Sequence, residues 1–153
     1  MPPEPHWTAY VSAFLTPVVA LLAIWIARQQ WCTARDKLKL DLFDRRLTVY
    51  QAATAFIASV MTTGKVIEED RIRFLRVTRD AKWLVGSEIA EYLDNEIHRK
   101  ALDLQCLDTE LEGVPVSKER SDNVQKQTAI KLWFNEQFGV LDKKFSSFLE
   151  LKH

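Results

Sequence analysis

The chain has 153 residues, with 21 Lys+Arg against 21 Asp+Glu, 47% hydrophobic residues, four Gly and five Pro. That length suits one domain of ordinary size rather than two well-cored ones, and 27% charged residues without a low-complexity tract exclude wholesale disorder. Zero net charge gives no global attraction to nucleic acid, and two distant cysteines form neither a disulfide framework nor a zinc-finger spacing.

The first predicted element is the run from Trp7 to Ala27, which contains no charged residue. As a helix it would cover about 30 Å, the thickness of the hydrocarbon core of a bilayer. Trp7 and Tyr10 near one end, with Trp25 and Trp31 near the other, fit an aromatic belt. The expectation is a single transmembrane helix over 7–27, a short exterior tail over 1–6 and a cytosolic part over 28–153. No Lys or Arg precedes the run, whereas Arg28, Arg35, Lys37 and Lys39 follow it as a juxtamembrane basic cluster. The positive-inside rule then puts the N-terminus outside and the C-terminus in the cytoplasm. Thr8, Ser12, Thr16 and Ala20 recur every four residues, a small-residue face suited to self-association. Cys32 and Cys106 fall on the reducing side, and Cys106 is expected to pack inside a helix.

Four helices and no strands are predicted, with the membrane helix continuing into an antiparallel cytosolic bundle. The first helix has no Gly or Pro between Val18 and Thr63. Leu40, Phe43, Leu47, Tyr50, Thr54, Ile57 and Met61 form one apolar line on it, and Leu42, Val49, Ala53, Phe56 and Val60 a second. Two stripes suit packing inside a bundle better than a two-stranded coiled coil. The second helix is expected over about Glu68 to Val85 and the third over about Glu88 to Glu112, with Gly64, Gly86 and Gly113 as stop signals. The fourth starts at about Lys118 and carries a seam of Phe134, Phe138, Leu141, Phe145 and Phe148. Gly139 inside that seam suggests a kink or a close helix contact.

Candidate chemistry is sparse. Only His98 of the three histidines lies inside the predicted fold, and no nucleophile-elbow pattern accompanies it. Asp94, four residues before it, would make half a metal site or a solvated acid–imidazole pair, and no second His completes the coordination. No Gly-rich phosphate loop exists, so no cofactor is expected. Glu68, Glu69 and Asp70 fit the positive end of a helix dipole. The sharpest charge feature is Arg71, Arg73, Arg76, Arg79 and Lys82. It reads either as an anion or partner patch, or as cations paired with Glu88, Glu91, Asp94 and Glu96 across a hairpin at Gly86. Nucleic acid is not expected, because few aromatics interleave the patch.

Three blocks, DKLKLDLFDRRLTVYQA (Asp36 to Ala52), FLRVTRDAKWLVGSEIAEYLDNEI (Phe74 to Ile97) and KLWFNEQFGVLDKKFSSFLEL (Lys131 to Leu151), resemble a family of small uncharacterised bacterial proteins. Its members have one N-terminal membrane span and a helical cytosolic domain. The resemblance implies a bacterial inner-membrane location and a helical fold, and carries no activity or catalytic residue. The expected function is therefore a membrane-anchored, non-enzymatic interaction or scaffold module. It would form a homo-oligomer or dock a cytosolic protein partner. The competing expectation is a membrane-perturbing, pore-forming effector triggered through its cytosolic bundle.

Overall fold

The computed structural model describes residues 7–111, 115 and 118–150, with side chains described for Leu15 and from Pro17 onward. In chain order the helices are α1 (Trp7–Thr63), α2 (Glu68–Thr78), α3 (Ala81–Leu84), α4 (Ser87–Glu91), a π-helical segment (Tyr92–His98), α5 (Arg99–Glu110) and α6 (Lys118–Leu149). The described residues contain no strand, as the sequence predicts. Two compact units divide the chain, Met1–Asp41 and Leu42–His153, and α1 contributes to both.

The predicted transmembrane helix is overturned. Among the described residues, no helix is long and apolar enough to cross a membrane. After Ala27 the helix continues without a break through Arg28, Gln29 and Gln30, all exposed. With that, the inner-membrane location and the outward N-terminus lose their basis. Of the expected small-residue face, Thr8, Ser12 and Thr16 lie outside the described side chains, and Ala20 is exposed.

In the second unit, α1 buries Val49, Ala53, Phe56, Ile57 and Val60. This is the second of the two predicted stripes without Leu42, which is exposed, and with Ile57 added; Leu40 and Met61 of the first are exposed. Steps of four and three keep these positions on one face of an α-helix. The chain leaves α1 at Gly64, whose φ of +70° lets its N–H reach Val60 O at 2.9 Å. Phe56 stacks on Phe74 of α2 with ring centroids 4.8 Å apart.

The predicted second helix divides into α2 and α3 at Arg79–Asp80, and Gly86 then turns the chain at φ +92° and ψ 166°. L-residues avoid that conformation, and a Cβ on Gly86 would meet no neighbour within 4 Å. Gly86→Ala should therefore cost about 1–3 kcal/mol through backbone strain alone. Denaturant titration measures it, and an unchanged midpoint would show that the turn relaxes freely.

Downstream, Ile89, Leu93, Ile97 and Ala101 are all buried at steps of four. An α-helix would rotate such a series by about 40° per step and carry it off the core. The wider turns of Tyr92–His98 absorb that rotation, which explains why the predicted third helix contains a π-helical stretch.

The predicted seam of α6 is present, with Phe134, Leu141 and Phe145 fully buried. It also buries Asn123, Gln127 and Gln137. Asn123 Nδ2 donates to Leu107 O at 3.1 Å, and Gln127 Nε2 to Asn123 Oδ1 at 3.2 Å. Tyr92 donates its hydroxyl to Gln137 Oε1 at 2.6 Å, while Gln137 Nε2 donates to Trp133 O. These groups are buried with partners, as polar atoms away from water must be. Gly139 is exposed and a Cβ there would touch nothing, so the expected close helix contact at that position is absent.

Burial, with a smaller contribution from Glu96, pushes the Tyr92 phenol from 10.0 up to about 12. The folded state holds the phenolic proton more tightly than the unfolded chain. Its contribution is complete below pH 10 and is lost as pH rises from 10 towards 12. Tyr50 shifts in the same direction because its hydroxyl donates to Asp142 at 2.6 Å. Tyr92→Phe should flatten the fall in urea midpoint over that window; an equally steep fall would assign it to other groups.

Candidate functional site

The basic stretch from Arg71 to Lys82 separates into a structural end and an exposed end. Arg71 Nε donates to Glu68 Oε2 at 2.9 Å, and Arg71 Nη1 lies 3.3 Å from His98 Nε2. His98 Nδ1 faces Asp94 Oδ1 at 3.5 Å. A guanidinium can only donate, so His98 Nε2 accepts from Arg71 and Nδ1 carries the proton facing Asp94. The series Glu68–Arg71–His98–Asp94 thus ties α2 to the π-helical segment. Its hydrogen bond from Arg71 holds the Glu68 carboxyl below the usual carboxylate range. Among the described residues, no group of three or more His, Cys, Asp or Glu is placed to hold a metal ion.

Arg73 stays within its own helix, 3.9 Å from Asp70. The expected pairing with the acids after Gly86 is not made among the described residues. Glu88 is held by Lys144 of α6 at 2.9 Å, which keeps its carboxyl below the usual range, and Asp94 faces His98. The reason lies in helix azimuth. Ala90, Leu93 and Asp94 form the side facing α2, whereas Glu88 lies towards α6 and Glu91 is exposed. Arg76, Arg79 and Lys82 are exposed, and Lys82 Nζ lies 5.6 Å from the centre of the Trp83 ring. Trp83 itself is 81% exposed. Arg79 lines a cavity of about 310 Å³ between α2 and the α4–π stretch, together with Phe74, Leu75, Thr78, Ala90, Leu93 and Asp94. Sequence reasoning found the arginines but not the cavity, which depends on the azimuth set by the π-helical turns.

In the unit Met1–Asp41, every described side chain from Leu15 onward is exposed, including Arg28, Arg35, Lys37 and Lys39. The Arg35 guanidinium lies 5.8 Å from the centre of the Trp31 ring. Cys32 and Cys106 are free and exposed, which corrects the expectation that Cys106 packs inside. Comparison with known proteins finds no matching family model, no matching curated protein and no matching solved structure.

Proposed function

We propose that this chain is a non-enzymatic helical interaction module that self-associates through the first half of α1. The observation behind this reading is the exposure of large apolar side chains from Leu15 to Trp31, between 47% at Ile26 and 68% at Leu21. Together they leave on the order of 1,000 Å² of apolar surface uncovered, more than the patches of typical monomers. A standard interface buries about 800 Å² per partner, so a second copy has enough surface to grip.

Helical geometry adds a direction. Val18, Val19, Leu21, Leu22, Ile24 and Ile26 spread over more than half the circumference, and Ala20, Ala23 and Ala27 complete it. A helix that is apolar all round needs cover on several sides, which favours an assembly larger than a dimer. Sedimentation of the whole chain over a roughly hundredfold concentration range tests this. A mass above that of two copies is expected, and a monomer at the highest concentration would overturn it. His98 has no catalytic part in this reading, consistent with its engagement by Arg71 and Asp94.

A further inference from the structure

We propose that neighbouring copies of this chain pack their α1 helices antiparallel, along a seam of alternating small and large apolar residues from Ala20 to Leu38. The arrangement rests on the self-association through α1 proposed above, and adds its direction and its contacting residues.

The seam is Ala20, Ile24, Ala27, Trp31, Ala34 and Leu38. Its steps of four and three repeat every seven residues, the spacing that keeps one line of a helix against a neighbouring helix. All of these side chains are exposed within the unit Met1–Asp41, the large ones by 66% at Ile24, 64% at Trp31 and 60% at Leu38. The line outlasts the uncharged run: between Arg28 and Lys37 the positions off the seam are Arg, Gln, Cys, Thr, Asp and Lys. The apolar surface already counted from Leu15 to Trp31, on the order of 1,000 Å², exceeds the roughly 800 Å² that each partner of a stable pair buries.

Residue size sets the direction. One heptad position holds only Ala20, Ala27 and Ala34, and the other only Ile24, Trp31 and Leu38. Parallel helices in register put each position against itself, so layers of paired alanines would alternate with layers of paired large side chains. Helix axes settle about 8–10 Å apart according to the side chains between them, and a continuous helix cannot change that distance from one layer to the next. The large layers would hold the axes apart and leave voids at the alanines. Antiparallel helices oppose the two positions to each other. With Ala20 opposite Leu38, Ile24 opposite Ala34 and Ala27 opposite Trp31, every layer pairs one small residue with one large one, and the spacing is even. Charge favours the same direction. Arg35, Lys37 and Lys39 then lie beside Ala23, Leu21 and Val19 of the neighbour, whereas a parallel pair sets this basic stretch against its own copy. Their aliphatic stems can cover apolar surface while the charges stay in water.

Disulfide trapping reads the direction. In full chains carrying Cys32→Ser and Cys106→Ser, an Ala20→Cys chain and a Leu38→Cys chain are co-expressed and oxidised with copper phenanthroline. Mass spectrometry of the linked peptides should find links from position 20 to position 38 predominating over 20–20 and 38–38 links. A size swap gives a second readout by sedimentation. Ala27→Leu crowds Trp31 of the neighbour and should weaken association about tenfold, and Trp31→Ala added to it should restore most of that loss. In a parallel pair the same Ala27→Leu fills a void and tightens association instead. Predominant 20–20 and 38–38 links, links in statistical proportion, or tighter association of Ala27→Leu would each overturn the antiparallel seam while leaving self-association standing. A chain that stays monomeric at the highest concentration would overturn both.

Discussion

Phe74→Ala should lower the unfolding free energy by about 3–5 kcal/mol, seen as a reduced urea midpoint at unchanged slope. Phe74 is 1% exposed, stacked on Phe56 and in contact with the cavity beside α2. Truncation removes the ring that couples α2 to α1 and enlarges a space already present, so little collapse can offset it. Against a total stability of about 5–15 kcal/mol, such a loss would leave a large unfolded population in a marginal bundle. Phe74→Leu retains most of the volume and should cost less than about half as much. Ile72, two positions earlier and exposed, should tolerate alanine within about 0.5 kcal/mol. A loss below about 1 kcal/mol at Phe74 would mean that α2 is not held by this contact.

Leu22→Lys combined with Ile26→Lys should weaken self-association by at least about a hundredfold. Both side chains are exposed within the chain, so the substitutions remove no core contact. In an assembly that covers α1 on several sides, each lysine must either carry its charge into an apolar contact or force the helices apart. Loss of two central anchors, each of the order of 2 kcal/mol, compounds to that factor or more. Sedimentation supplies the mass, and far-ultraviolet dichroism reports whether the helices survive. If the double variant keeps the wild-type mass, the contact lies elsewhere.

The helical character was legible because the sequence punctuates it: Gly64 and Gly86 turn the chain, and α6 begins at Lys118, where it was expected. The α6 seam was equally legible, since Phe134, Leu141 and Phe145 keep the steps an α-helix requires. The choice between the two stripes of α1 was not, because both have helical spacing and only the packing of α2 and α6 decides which is covered. Asn123, Gln127 and Gln137 were not among the expected core positions, although Asn123 and Gln127 continue the seam towards the N-terminus and Gln137 falls within it. The π-helical turns left a signal that went unread, the unbroken steps of four from Ile89 to Ala101. The uncharged run to Ala27 was plain as composition, yet composition does not say what covers an apolar helix. Of the candidate sites, the Arg71–Lys82 cluster was visible as charge, but its division into the bonded Arg71 and the exposed Arg76, Arg79 and Lys82 depended on tertiary contacts.

The polar pair on α6 has a consequence for uniqueness rather than strength. A seam with heptad-like spacing can slide by seven residues and still present apolar groups, so burial alone discriminates poorly between the two placements. Asn123 removes that ambiguity, because its amide is matched to Leu107 O and Glu110 Oε2, and it in turn receives Gln127. A slipped α6 would bury those amides without partners, at about 1–3 kcal/mol for each group left unmatched. An asparagine and a glutamine among phenylalanines thus give the helix an address, and the bundle one arrangement instead of a ladder of near-equivalent ones.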